Sequence, residues 1–190
     1  EDMQNMISEF TTTDGIKNKG LQQTLQDFFD SWQQLTKDAG SQTSRSSVIE
    51  NATYLVGTLD QIDKQLTQLQ QDAAGKVKTS VKQLNDMADQ VAALNAKITE
   101  IEASGAEAGD LRDQRDQLLD KMSSLADVGV NEPSEGVLSV TIGGVAIVCG
   151  NDVVNRLTAT GTGMAGDPLL VQWAGMAGVN INLTGGSMEA

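Results

Sequence analysis

The chain contains no histidine, which removes the commonest general base and the commonest transition-metal ligand. Its one cysteine, Cys149, excludes an internal disulfide framework. Basic residues are scarce, 13 against 26 acidic ones, and the net charge of -13 disfavours nucleic acid and anionic membrane as partners. Aromatic residues make up 3%, too few for a surface that stacks bases. No run of 18 apolar residues occurs, so no segment reads as a membrane-spanning helix. The opening residues, Glu1 to Asn5, are polar and acidic and do not read as a cleavable secretory signal. A start at glutamate in the middle of a pattern reads as an internal fragment of a longer protein.

What the chain does have is a long apolar periodicity. Val48, Ala52, Leu55, Leu59, Ile62, Leu66, Leu69 and Ala73 alternate in steps of four and three, the seam of a heptad pattern. Beyond Gly75 the seam resumes at Val77, Val81, Leu84, Ala88, Val91 and Ile98, one residue out of phase. No proline interrupts the run, and Gly57 and Gly75 are its two glycines. The pattern predicts one helix over 44–103, about 85–90 Å long, that needs partner helices along its seam.

Shorter helices are predicted on either side. Leu21, Leu25, Phe28, Phe29, Trp32 and Leu35 form one face of a helix over 21–39, ended by Gly40 and expected to lock onto the long helix through its aromatics. Ser41 to Ser44 supply candidate N-caps for the long helix. Asp110 is expected to cap a third helix over 110–126, folded back antiparallel, with Leu111, Leu118, Leu119, Met122 and Leu125 on one side. Residues 1–20 read as a short helix and a loop.

After Asp127 the composition shifts to Val, Ile, Thr and Gly. Pro133 and Gly136 bracket a turn, and Leu138–Ile142, Gly143-Gly144 and Val145–Val148 read as a hairpin. Further strands are predicted at 156–160, 169–173 and 179–183. The class is therefore α+β: an elongated antiparallel helical bundle or coiled-coil rod over 1–128, then a small β-rich part over 129–190, cut off before its sheet is complete.

Candidate chemistry is thin. Asp110, Asp113 and Asp116 step by three around a helix and do not converge as a metal site; local ion pairing with Arg112 and Arg115 is the better reading. Arg115 shares a side with Leu111, Leu118 and Met122, which places it to reach across a helix interface to a carboxylate. Cys149 has no histidine to activate it and reads as a buried structural thiol. No nucleophile–base pair can be assembled, so no enzyme and no cofactor are expected.

Several segments resemble a known family. Asp27-Phe28-Phe29-Asp30-Ser31-Trp32-Gln33-Gln34-Leu35, Arg45-Ser46-Ser47-Val48 and the run from Val91 through Leu94 and Asn95 to Ile98 are similar to the helical region of flagellar hook-associated protein 1. The most specific match is Gly109-Asp110-Leu111-Arg112-Asp113-Gln114-Arg115-Asp116-Gln117-Leu118-Leu119. Val140-Thr141-Ile142-Gly143-Gly144 and Ile147-Val148-Cys149-Gly150 follow in family order. The matches cover about residues 25–150, and residues 151–190 carry none. Two departures occur: Gly109 stands where the family usually has asparagine, and Arg112 where it usually has leucine.

The resemblance implies a structural protein of the hook–filament junction, in a ring between two tubular lattices. It implies copies of itself, the hook protein and the second junction protein as partners. It further implies export through the flagellar type III channel to an extracellular site, with a chaperone acting through terminal regions that this chain lacks. Phe28, Phe29, Trp32, Arg45, Leu94, Asn95, Asp110, Asp113, Gln114, Arg115 and Asp116 are the family-motif and helix-packing positions. Another axial component, such as flagellin or the second junction protein, fits the Asp-Gln-Arg-Asp segment less well. From a different class, a coiled-coil stalk or binding module of a secreted adhesin or effector would bind a surface ligand on its own.

Overall fold

The computed structural model describes residues 20–132, 138–176 and 181. The short helix and loop predicted before Gly20, the turn at Pro133–Gly136, most of the strand at 179–183 and the Gly-rich end lie outside the described residues. Among the described residues three helices come first: α1 (Leu21–Lys37), α2 (Gln42–Ala103) and α3 (Gly109–Leu125). Six strands follow among them: β1 (Val128–Asn131), β2 (Ser139–Ile142), β3 (Val145–Cys149), β4 (Asp152–Val153), β5 (Leu157–Thr160) and β6 (Leu170–Trp173). This is the expected α+β order, one very long helix followed by a small antiparallel sheet region. The chain divides into two compact units, Glu1–Leu69 and Gln70–Ala190, and the division falls inside α2. Residues on both sides of the boundary expected at 128/129 share one hydrophobic core.

In the first unit, the residues that α1 buries are small and polar. Thr24 and Ser31 are the buried residues of α1. Each returns its hydroxyl to its own helix: Thr24 Oγ1 donates to the Gly20 carbonyl at 3.2 Å and Ser31 Oγ to that of Phe28 at 2.7 Å. A hydroxyl satisfied in this way can be buried without an unmet hydrogen bond. Asn51 Nδ2 of α2 donates to the Asp27 carbonyl at 3.3 Å. The aromatic lock is not what forms. Phe29 is 57% and Trp32 53% exposed, and half-buried Phe28 lies between them in contact, edge-on to Phe29 with centroids 5.4 Å apart and tilted against Trp32 at 6.3 Å.

The turn between these helices is held by named groups. Helix α1 ends at Lys37, before Gly40. Arg45 donates from Nε and Nη2 to the Ala39 carbonyl at 3.2 and 2.8 Å. Ser41 Oγ accepts the Ser44 N–H at 3.3 Å, the geometry of an N-cap for α2.

The second unit is built differently. Val81, Leu84, Met87, Ala88, Val91 and Ala92 of α2 share one core with Leu119 and Met122 of α3 and with Val140, Ile142, Ile147, Val148, Leu157 and Trp173. The later half of the seam therefore packs on α3 and on two sheets, rather than on helices alone. The first sheet runs β1-β2-β3-β4, all antiparallel, and β5 pairs with β6. Gly143 and Gly144 turn the β2–β3 hairpin with φ of 57° and 81°, the left-handed values a two-residue hairpin requires.

A register shift between Val140 and Thr141 breaks the alternation, so consecutive Ile147 and Val148 are both buried. Cys149, next along, then faces out. It is an exposed thiol, not the buried one expected. Strands β5 and β6 fall close to their predicted spans. Of the strand predicted at 179–183, Ile181 is described, and its N–H donates to the Val171 carbonyl at 2.9 Å.

Gly161, at φ +91°, ends β5 so close to the incoming chain that a Cβ would lie 2.1 Å from the Pro168 carbonyl oxygen. Gly161→Ala adds positive-φ strain to a clash with backbone. It is expected to lower stability by about 2–4 kcal/mol in urea denaturation; a change below about 1 kcal/mol would show that this turn relaxes freely.

Candidate functional site

A network of polar side chains gathers where α2, α3 and the hairpin base meet. Asn95 stands one step after Val91 and one before Ile98 on the seam, so the helix carries it into the core, where it is fully buried. Its Nδ2 donates to the carbonyls of Leu138 at 3.1 Å and Gly150 at 2.6 Å, the two sides of the hairpin base. Those strands also bond each other there, Gly150 N to the Leu138 carbonyl at 3.2 Å. Asn95 Oδ1 accepts from Arg115 Nη1 at 3.1 Å. One amide thus ties the long helix, the third helix and the hairpin.

Arg115, 2% exposed, passes from Asn95 to Glu132 just beyond β1, with Nη2 3.3 Å from Oε1. It reaches the carboxylate expected of it, although that carboxylate follows a strand rather than lying on a helix. Its Nε is buried without a hydrogen-bond partner. Arg112 shares Glu132, Nη1 to Oε1 at 3.1 Å, and grips Glu102 at the end of α2 with Nε and Nη2, both at 2.8 Å. That fork is the strong planar form of the arginine–carboxylate pair.

The Arg112 guanidinium holds the Glu102 carboxyl below its ordinary value, chiefly through the hydrogen bond, and Glu102 raises Arg112 in return. A folded-state value depressed below the unfolded one stabilises the fold above the unfolded value and ceases to do so as pH falls through the folded one. Glu102→Gln is therefore expected to lower the melting temperature at about pH 6, with the gap to the parent closing below the unfolded value near 4.5. A gap that persists unchanged into acid would assign the effect to packing instead.

A second set of contacts lies along the same helix. Asn85 Nδ2 donates to the Leu157 carbonyl and Asn85 Oδ1 accepts the Leu157 N–H, both at 2.9 Å, so the side chain acts as a strand partner for β5. Arg156 pairs with Asp89 through two bonds of 3.0 and 2.6 Å, which lowers the Asp89 carboxyl below its usual value. Asn85, Asp89 and Asn95 thus pin both sheets to α2.

Of the residues singled out in the sequence, Asn95 and Arg115 come together here. Leu94 is half-buried beside them, while Asp110, Asp113, Gln114 and Asp116 lie exposed on α3. Phe28, Phe29, Trp32 and Arg45 belong to the other unit. Asp110 is not the N-cap of α3: the helix begins at Gly109, and Asp110 sits in its first turn, where a carboxylate favours the helix dipole. Nor do these aspartates pair with Arg112 and Arg115, which turn to Glu102 and Glu132. Among the described residues no three acidic or thiol groups form a metal-binding cluster, and no helix is long and apolar enough to cross a membrane.

Sequence reasoning missed Glu102, Glu132, Asn85, Asp89 and Arg156, and placed Arg112 on a plain helix surface. One signal for Arg112 was present: a short break joins two antiparallel helices, which brings residues ten apart, such as Glu102 and Arg112, face to face.

Comparison with known proteins places this arrangement. The family described as flagellar hook-associated protein FlgK helical domain matches residues 3–190. The chain is 31% identical over 127 residues to flagellar hook-associated protein 1 of Bacillus subtilis, covering 65% of this chain and 25% of that one. It is 31% identical over 150 residues to the protein of the same name from Escherichia coli, covering 77% and 26%. The solved structure of the flagellar hook junction protein FlgK from Burkholderia pseudomallei superposes with a TM-score of 0.76 at 28% identity, covering 92% of this chain and 33% of that one. The chain thus spans about a quarter of the length of the curated relatives it matches. Family profile, sequence relatives and superposed structure agree, and the chain belongs to the flagellar hook-associated protein FlgK helical domain family.

Proposed function

We propose that this chain is a structural part of a hook–filament junction protein, that it works by lateral packing of its helices, and that it carries no enzymatic activity. Beside family membership, the observation that carries this reading is the apolar surface of the first unit. Leu25, Phe29, Trp32, Ile49, Tyr54, Val56, Leu59 and Leu66 are all exposed on α1 and the first half of α2. So much apolar surface on one unit marks a place where other protein packs. The partners are copies of the same protein in a ring, the hook protein and the second junction protein. The location is the outside of the cell, reached through the flagellar export channel, with an export chaperone engaging regions outside this chain. The acidic surface makes assembly sensitive to salt.

The test is co-sedimentation of the full protein with isolated hooks over a range of ionic strength. Retention on hooks that varies with salt supports the reading. Failure to sediment with hooks overturns the junction role, and retention indifferent to salt overturns its electrostatic part.

A further inference from the structure

On the outer side of the α2–α3 pair runs an open groove of about 340 Å³, lined by Gln90, Leu94 and Lys97 on one helix and Gln114, Leu118 and Lys121 on the other. Its floor is apolar, with Leu94 and Leu118 half-buried, and its rim is exposed amide and ammonium. Among the described residues neither lysine makes an ion pair. On a chain of net charge -13 this is a cationic slot with an apolar base.

The complement is on the same helix. Asp113, Asp116 and Asp120 recur at i, i+3 and i+7, form one exposed stripe of α3, and make no ion pair among the described residues. At 100° per residue the stripe stands about a third of a turn from Lys121, on the opposite flank from the groove. One short helix therefore presents a cationic groove on one side and an acidic edge on the other.

We infer that the groove receives the Asp113–Asp116–Asp120 edge of α3 from a second copy of this chain. The two surfaces differ, so the contact is head-to-tail and propagates from copy to copy, as a closed ring or helical lattice requires. The carboxylates meet Lys97 and Lys121, and the glutamine amides supply donors and acceptors between them. This rests on the junction reading above and names the surface through which copies meet.

The test is a charge swap in the full protein, scored as the amount retained on isolated hooks. Lys97→Glu with Lys121→Glu, and separately Asp113→Lys with Asp116→Lys and Asp120→Lys, should each lower retention by about tenfold. The two sets combined should restore it to within about threefold of the parent, a rescue that a misfolded variant cannot give. Unchanged retention in either single set overturns the inference and leaves the junction role standing. Loss in the lysine set alone assigns the groove to another acidic partner and also overturns it. A parent protein that never binds hooks overturns both.

Discussion

Asn95→Ala is expected to destabilise the second unit by about 3 kcal/mol, although it removes only one small polar side chain. Two groups lose their partner at once, the Gly150 carbonyl and Arg115 Nη1, and the Leu138 carbonyl is left with the Gly150 N–H alone. Leaving a buried donor or acceptor unpaired costs roughly 1–3 kcal/mol, and members of one network do not lose their worth independently. Asn95→Asp should be as harmful or worse, because a carboxylate still accepts from Arg115 but confronts two carbonyl oxygens it cannot donate to. The chain offers a clean readout, since Trp173 is buried in the second unit and Trp32 is exposed in the first. In a Trp32→Phe background, urea unfolding followed by Trp173 fluorescence reports the unit that Asn95 ties together. A loss under about 1 kcal/mol would mean that water replaces the amide, and the clasp would then be only a geometric coincidence of well-packed elements.

That clasp was half legible in the sequence. The periodicity gave α2 within two residues at its start and to the residue at its end, because a heptad seam is a strong signal and nothing inside it breaks a helix. The hairpin was legible for the same kind of reason: two glycines between alternating apolar runs leave few alternatives. The seam also skips from Val91 to Ile98, and the residue at the vacant step is Asn95. A polar side chain where the pattern wants an apolar one has to be buried with partners, yet the pattern cannot say which. Those partners are backbone carbonyls more than 40 residues away, and backbone carbonyls have no sequence signature. The same limit hid Asn85, which pairs with the backbone of Leu157. The aromatic face of α1 misled in the opposite way. Amphipathicity identifies an apolar stripe, but it does not say whether the stripe is covered by this chain, and here Thr24 and Ser31 are buried while Phe29 and Trp32 are exposed.

The largest contrast expected lies between two leucines of one seam. Leu84 is fully buried against the shared core, and Leu84→Ala should cost about 3–5 kcal/mol, the range for a leucine truncated where the surroundings cannot collapse into the space. Leu66 obeys the same heptad pattern but is 42% exposed, and Leu66→Ala should change the stability of this chain by no more than about 0.5 kcal/mol. If the first unit packs against other axial protein, however, Leu66→Ala together with Leu59→Ala should reduce retention on hooks while leaving the unfolding curve in place. A seam that is core in one half and only partly covered in the other separates what holds the chain together from what it is built to meet. Should the Leu59 and Leu66 pair prove silent in both assays, those two positions would not be an assembly surface, and the junction contacts would have to lie elsewhere in the protein.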